Sequence, residues 1–227
     1  NDDKRNLYQF KLMDSHILYV TNTESVPNDS TMGAETMIVP CSGLHQFKHM
    51  SDNIATLKKV CWTDFSKFGL AWTKRVLTEW DGRDFDMFYH DNIHHIMDMG
   101  FPNEYFIKYD RDLMEEFIAS YGSESKWLEA WDKIREIEHE FIQADLIKDW
   151  PRVIEAAGKN KCIFVQFSNI WQYEINYLNS SIVDAELAFG NIMKNLMINN
   201  DTVYFTGDTP SGIHYRYQNL RSLPGII

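Results

Sequence analysis

Short apolar runs that end in polar turns predict the strands of a central sheet. The runs at residues 36–40 and 59–63 are rich in Val, Ile, Met and Trp, and each breaks into a polar turn, as buried parallel strands do. The chain between them is long enough for a crossover helix, which is predicted at residues 46–57. Similar runs predict further strands at residues 16–21 and 161–167.

Apolar residues at three- and four-residue spacing predict the helices that cover this sheet. The predicted helices span residues 65–80, 83–99, 112–121, 125–147 and 182–198. The segment at residues 105–109 fits either a short strand or the first turn of a helix. Trp150 and Pro151 are expected to end the helical middle of the chain.

Two of these helices carry more specific expectations. In the longer middle helix Glu138 and Glu140 are expected to point outward, with His139 as an exposed charge between them. The last helix is expected to start with a capping box formed by Ser181 and Asp184. Its predicted apolar face consists of Val183, Leu187, Ile192, Leu196 and Met197.

The end of the chain predicts an antiparallel hairpin, because residues 202–206 and 213–217 flank a loop that begins and ends with glycine. The complete pattern indicates an α/β fold with a mostly parallel sheet, an antiparallel edge hairpin and a helical insertion at about residues 110–150. With 227 residues, of which 44% are hydrophobic, residues 1–227 are expected to form a single domain.

The net charge of −11 argues against nucleic acid or an anionic membrane surface as a partner. No apolar run approaches the roughly 20 residues that span a bilayer, so no membrane association is expected. The cysteines at positions 41, 61 and 162 are odd in number and widely spaced, which favours reduced thiols and a cytoplasmic protein. Cys41 lies at a strand end and is expected to be a passive thiol.

The polar turns after the first two parallel strands are the strongest candidates for ligand contacts. In open α/β sheets, ligands bind outside the carboxyl ends of the strands. Ser42 and Gly43 offer backbone amides and a position without a Cβ, while Asp64 can accept hydrogen bonds from two hydroxyls of a ribose. The alternative is that Gly43 only forms a turn and Asp64 only caps the next helix.

The predicted elements follow one another in the order strand, glycine turn, helix, strand and acidic residue. A later strand ends in Ser168 and Asn169, and a hairpin comes last. This order resembles that of the class I S-adenosylmethionine-dependent methyltransferase family. The resemblance covers residues 36–85 and 161–217. It implies a Rossmann-like three-layer sandwich that binds S-adenosylmethionine as cofactor. It also implies methyl transfer to a small molecule, a glycan or a protein.

In that family the glycine turn holds the amino-acid part of the cofactor, the acidic residue holds the ribose hydroxyls, and the later strand end lines the adenine and the substrate. By position, the resemblance gives these roles to Pro40, Ser42, Gly43 and Leu44, to Asp64 and Phe65, and to Ser168, Asn169 and Ile170 with Trp171. The chain departs from the family by carrying one glycine in its first turn, and by keeping only the Asn of an Asn-Pro-Pro-Tyr motif.

The candidate catalytic residues are His45, His94 and Asn169. His45 follows the glycine turn and is expected to point at a bound ligand. His94 belongs to a predicted helix face that is dense in imidazole and carboxylate, formed by Asp86, His90, Asp91, His94, His95 and Asp98. Such a face can supply a general base or bind a divalent ion. A solvated face is the favoured interpretation, so no metal is predicted.

Two other classes of function stay open. A nucleotide-sugar-dependent glycosyltransferase would use Asp81, Asp84 and Asp86 to hold a metal ion and a diphosphate. A non-catalytic interaction module would instead dock a partner on its acidic surface or its helical insertion.

Overall fold

The computed structural model describes residues 17–22, 24, 28–177 and 180–223. Its centre is a six-stranded sheet in the order β5-β3-β2-β6-β7-β8, in which the first five strands are parallel and β8 is antiparallel to β7. These strands are β2 (Thr36–Val39), β3 (Lys59–Asp64), β5 (Glu138–Gln143), β6 (Asn160–Ser168), β7 (Asn200–Asp208) and β8 (His214–Asn219). The predicted Rossmann-like sandwich, including its antiparallel edge hairpin, is confirmed.

Nine α-helices surround the sheet within the described residues. They are α1 (His45–Asp52), α2 (Lys67–Glu79), α3 (Phe85–Asn92), α4 (His94–Asp98), α5 (Arg111–Ala119), α6 (Glu124–Glu136), α7 (Leu146–Ala157), α8 (Ile170–Tyr177) and α9 (Ile182–Asn199). None of the helices that the structure describes is both long enough and apolar enough to cross a membrane.

The sheet separates two hydrophobic cores. Along β2, Met37 and Val39 face the core shared with α1, α2 and α6, whereas Ile38 between them faces the core shared with α7 and α9. This alternation follows from the two-residue period of a strand. The chain adds β3 and β5 on one side of β2 and then returns to place β6 on the other side. The strand order therefore reverses between β2 and β6, where open α/β sheets form their ligand crevice.

The predicted helix at residues 125–147 is wrong in its second half. Helix α6 ends at Glu136, and residues 138–143 form β5 at the edge of the sheet. Pairing with β3 overrides the helical pattern, because Lys59 contacts the carboxylates of Glu138 at 3.3 Å and Glu140 at 2.6 Å. The ring of Phe141 stacks on Trp62 in the same pair of strands.

His139 is also not the exposed charge that was predicted. Its Nδ1 accepts a hydrogen bond of 3.0 Å from Trp62 Nε1, and its Nε2 lies 2.8 Å from the carbonyl oxygen of Ile134. Burial lowers the pKa of His139. The imidazole is therefore a neutral bridge between two strands and the end of α6.

Two further element predictions need correction, and one segment that was left open is now assigned. Pro151 lies inside α7 instead of ending the helical region. The strand predicted at residues 16–21 is reduced to β1 (Leu18–Tyr19), which pairs with β4 (Ile107–Lys108) in a separate two-stranded sheet, and residue 16 lies outside the described residues. The ambiguous segment at residues 105–109 consists of a 3₁₀ turn, Glu104–Phe106, followed by β4.

Helix α9 forms where it was predicted, but one part of its apolar face is wrong. The predicted Ser181 cap is present, since Ser181 Oγ accepts from the backbone N–H of Asp184 at 3.0 Å, and the Asp184 carboxylate reaches back to accept from the Ser181 hydroxyl at 2.8 Å. Val183 and Leu187 are 63% and 62% exposed. The buried face instead uses small residues that allow close packing, and it comprises Ala185, Ala188, Ile192, Met193, Leu196 and Met197.

Replacing Gly190 with alanine is expected to stabilise the protein by about 0.5–1 kcal/mol. Gly190 lies in the interior of α9, and a Cβ built on it meets no atom within 4 Å. Alanine reduces the conformational entropy of the unfolded chain without creating an overlap. The midpoint and slope of urea denaturation check this prediction, and a lower midpoint for the variant would contradict it.

A buried carboxylate ties α8 to the start of α7. The side chain of Glu174 on α8 accepts hydrogen bonds from the backbone N–H groups of Leu146 at 2.8 Å and Ile147 at 3.3 Å. Burial is the largest influence on this carboxyl and raises its pKa to about 8. Because Ile170 and Tyr173 on the same helix line the cavity described next, this contact fixes one wall of it.

Candidate ligand-binding site

A cavity of about 310 Å³ opens at the carboxyl edge of the sheet. This volume is at the lower end of the range of about 300–1,000 Å³ found for small-molecule sites. The ends of three neighbouring strands supply much of its lining, namely Pro40, Cys41 and Ser42 after β2, Asp64 and Phe65 at β3, and Ser168, Asn169 and Ile170 at β6. Seven of the ten residues to which the resemblance gave cofactor or substrate contacts therefore meet around one hollow.

The other three predicted residues, Gly43, Leu44 and Trp171, do not line this cavity, and Trp171 is fully buried in the core shared with α7 and α9. Gly43 has a φ of +96°, and a Cβ built on it would lie 2.5 Å from the Cβ of Asn22. The Asn22 side chain also donates a hydrogen bond of 3.1 Å to the carbonyl oxygen of Ser42. The close approach that requires glycine is thus made by the protein's own chain. Leu44 is buried in the core.

Asp64 both shapes the turn after β3 and lines the cavity. Its Oδ1 accepts a hydrogen bond of 2.8 Å from the backbone N–H of Ser66, and Ser66 caps α2 by accepting from Gly69. Asp64 is 8% exposed, and this burial raises its pKa to about 7 against the opposing effect of backbone donors. The alternative in which Asp64 only caps the next helix is wrong, because Ser66 is the cap; Asp64 instead holds the turn before the helix and also lines the cavity.

Residues from outside the strand ends close the other side of the cavity. Tyr19 from β1 and Tyr173 from α8 both line it, and their hydroxyl oxygens are 2.7 Å apart. Asn22 and Glu24, from the segment after β1, complete this wall. No periodic pattern marks Tyr19, Asn22 or Glu24, since they lie in irregular chain or in the two-residue strand β1. Their polar character in a long loop was the one available signal.

A second cavity of about 370 Å³ adjoins the first at the ends of β6, β7 and β8. The two cavities share Glu24, Ser168 and Asn169 in their linings. The hydroxyl of Ser168 donates to a carboxylate oxygen of Glu24, so these two side chains form part of the partition. The remaining lining of the second cavity comprises His45, Gln166, Thr206, Gly207, Asp208, His214, Arg216 and Tyr217.

His45, predicted to contact a ligand at the first turn, lines the second cavity and not the first. Its Nε2 lies 3.1 Å from Oε2 of Glu24. Burial raises the pKa of Glu24, but the contacts with His45, Ser168 and Gln166 outweigh it and leave the pKa below its usual value. Glu24 is therefore a carboxylate that can orient the imidazole of His45.

The backbone is strained where the two cavities meet. Ser168 and Tyr217 have φ values of 51° and 49°, in the left-handed region that residues with a Cβ seldom adopt. The strand register shifts between Gln166 and Ser168 in β6, and again between Phe205 and Gly207 in β7. Irregularities of this kind are enriched beside binding sites, where they redirect side chains.

His94 does not lie in either cavity lining. It is exposed on α4, where one ligand atom each from His94, His95 and Asp98 fall within 4.8 Å of one another. Elsewhere on the same predicted face, His90 lies 3.6 Å from Asp86. The structure therefore separates His94 from the other two catalytic candidates, of which Asn169 lines both cavities.

The three carboxylates that a glycosyltransferase would use to hold a metal ion accept hydrogen bonds from other parts of the protein. Asp81 accepts from the backbone N–H of Arg83 at 2.9 Å, Asp84 caps α3 by accepting from Met87, and Asp86 accepts from the Tyr109 hydroxyl at 2.8 Å. Among the described residues these three carboxylates do not form a cluster with metal-ligand spacing.

All three cysteines are buried and unpaired with one another. Burial raises the pKa of Cys41 well above its usual range, although this residue lines the first cavity. The pKa of Cys61 is raised to about 12 and that of Cys162 to about 11. A thiol of such high pKa is a poor nucleophile at neutral pH.

Comparison with known proteins adds no family to this geometry. No protein-family model matches the sequence, and no curated protein is detectably similar to it. The functional argument therefore rests on the two adjoining cavities and the residues that line them.

Proposed function

We propose that the first cavity binds S-adenosylmethionine and that the protein transfers its methyl group to a small polar molecule. The observation that carries this proposal is the meeting of Ser42, Asp64 and Asn169 at one cavity, beside the point where the strand order reverses. A nucleoside cofactor in an α/β fold requires such an arrangement: backbone near its charged end, a carboxylate for its ribose and an apolar surface for its base.

The residues present fit these three requirements. The Asp64 carboxylate accepts from the backbone N–H of Ser66 and is also held by backbone hydrogen bonds from Cys41 and Phe65, and its remaining acceptor capacity would hold the ribose hydroxyls. Phe65, Phe167 and Ile170 supply an apolar wall that would contact the adenine. The cofactor, when bound, supplies an electrophilic methyl carbon on its sulfonium, and the protein's residues orient the acceptor and exclude water.

Asp64→Ala is expected to weaken binding of S-adenosylhomocysteine by more than about tenfold, because the ribose loses its carboxylate partner. Asp64→Asn keeps an oxygen that can accept from Ser66, so it tests the charge without removing the turn. Asp91→Asn, an exposed change on α3 that touches neither cavity, is the matched control. Isothermal titration calorimetry with S-adenosylmethionine and S-adenosylhomocysteine measures all four proteins.

Absence of heat with the unchanged protein at millimolar ligand would overturn the proposal. A thermal shift with manganese and a sugar nucleotide, in the absence of any response to S-adenosylhomocysteine, would favour glycosyl transfer instead. Equal affinities for Asp64→Ala and Asp91→Asn would remove Asp64 from the site.

A further inference from the structure

The two adjoining cavities differ sharply in the chemistry of their linings. The first combines polar groups with aliphatic and aromatic side chains, including Pro40, Phe65 and Ile170. The second has no aliphatic side chain among the described residues of its lining, and Tyr217 is its only phenylalanine, tyrosine or tryptophan. A lining made of carboxylates, amides, imidazoles and hydroxyls suits a ligand that both donates and accepts many hydrogen bonds.

Two buried polar side chains of the second cavity carry ring or amide atoms that have no hydrogen-bond partner in the part of the chain that the structure describes. Gln166 is 2% exposed and its Oε1 has no hydrogen-bond partner. His45 is 4% exposed and neither of its ring nitrogens has a hydrogen-bond partner, although Nε2 lies in ion-pair contact with Glu24 at 3.1 Å. A buried polar atom without a partner costs about 1–3 kcal/mol, so such atoms call for an explanation. Hydroxyl groups of a ligand in the cavity would satisfy both.

The charges in this cavity indicate a neutral ligand. Each of its carboxylates already has a histidine partner, since Asp208 lies 2.7 Å from His214 and Glu24 lies 3.1 Å from His45. The four side chains do not bring three ligand atoms together at metal spacing. With two carboxylates and one arginine, the lining offers little attraction to a phosphate or other anion. The acceptor atoms left over, on Gln166 and His45, are uncharged.

We infer that the second cavity binds a neutral polyol of monosaccharide size, and that one of its hydroxyls is the methyl acceptor in the reaction proposed above. His45 is the general base. Glu24 holds Nε2 of His45, and Nδ1 takes the proton from the hydroxyl. The acceptor oxygen forms its bond to the methyl carbon as the bond from that carbon to sulfur breaks. S-adenosylhomocysteine and a methyl ether result, and the proton passes from His45 to water.

Binding is tested by saturation-transfer-difference NMR with D-glucose, D-galactose, D-mannose, L-fucose, N-acetyl-D-glucosamine and myo-inositol as probes. At least one probe is expected to receive saturation, and excess S-adenosylhomocysteine should not displace it because it occupies the other cavity. Gln166→Leu should reduce this signal by more than about tenfold, whereas Gln172→Leu, an exposed change on α8, should not.

A lack of signal from every probe would overturn the inference, and so would an unchanged signal in Gln166→Leu or displacement by S-adenosylhomocysteine. Calorimetry with S-adenosylhomocysteine reports separately on the first cavity. If a probe binds and S-adenosylhomocysteine does not, the proposed methyl transfer fails while the polyol site stands.

The role of His45 is tested with the probe that binds best. Release of S-adenosylhomocysteine is measured against pH for the unchanged protein and for His45→Gln. The substitution is expected to lower kcat by about 100-fold or more with little change in KM, and to remove the acidic limb of the pH profile, because a protonated base cannot accept the proton. An unchanged kcat, or no methylation of a bound probe, would exclude His45 as the base.

Discussion

Gly207→Ala is expected to destabilise the protein by about 2–6 kcal/mol, because left-handed strain and overpacking each cost about 1–3 kcal/mol. Gly207 has a φ of +133°, and a Cβ on it would lie 2.7 Å from the backbone nitrogen of Ser168 and 2.8 Å from its carbonyl oxygen. Both contacts are with backbone of a central strand, which cannot move aside as a flexible side chain can. Chemical denaturation measures the loss.

Gly212→Ala is the matched control for this change. Gly212 belongs to the same hairpin and has a φ of +86°, but a Cβ on it meets nothing within 4 Å. It therefore incurs the backbone strain without the overlap. Equal losses for the two variants would show that contact with Ser168 contributes nothing. Where Gly207→Ala remains folded, displacement of Ser168 should also weaken ligand binding in both cavities, since Ser168 lines both.

Glu174→Gln is expected to remove a large pH dependence of stability. The buried Glu174 carboxyl has a pKa of about 8, against an ordinary value of 4.5. The folded protein therefore holds this proton more tightly than the unfolded chain does. Its contribution to stability is fully present below about pH 4.5 and is lost as pH rises to about 8.

A glutamine keeps an oxygen that can accept from Leu146 and carries no charge to bury. Glu174→Gln should therefore exceed the unchanged protein in stability at pH 8 by roughly 3–5 kcal/mol, and should match it near pH 4.5. The free energy of unfolding, measured in urea across this range, checks the prediction. Asp64, with a pKa of about 7, also makes the free energy of unfolding fall as pH rises. The dependence of this free energy on pH is therefore smaller in Glu174→Gln, but it is not abolished.

Glu155→Gln, an exposed change on α7, is the control. Parallel curves for Glu174→Gln and the unchanged protein would contradict the assignment of a buried, proton-binding carboxyl. They would also weaken the view that Glu174 fixes the wall that α8 forms.

The grouping of the strand-end residues could be predicted from the sequence, because parallel strands place their carboxyl ends at one edge of the sheet. That rule alone brings Ser42, Asp64 and Asn169 together, and it requires only that the strands be recognised. The structural role of Gly43 could not be predicted in this way. A positive φ and a close neighbour can be inferred from an isolated glycine, but the identity of the neighbour, Asn22, depends on tertiary structure.

The second cavity was missed almost completely for a related reason. Gln166, Asp208 and Arg216 come from three strands, and register shifts in β6 and β7 decide which of their side chains share a hollow. No local pattern encodes such a shift. Glu24 was missed because it lies in an irregular segment, where neither helical nor strand periodicity applies.

The edge strand β5 was predicted as a helix because its charged residues resemble a solvent-exposed helix face. Its first three residues, Glu138, His139 and Glu140, made the segment resemble a solvated helix, although they belong to a strand that pairs on one side only within the described residues. An unpaired strand edge can recruit another chain into an intermolecular sheet, and charged side chains oppose such growth through mutual repulsion. We therefore expect the acidic start of β5 to oppose fibrillar self-association, and we expect neutralisation of Glu138 and Glu140 to favour it.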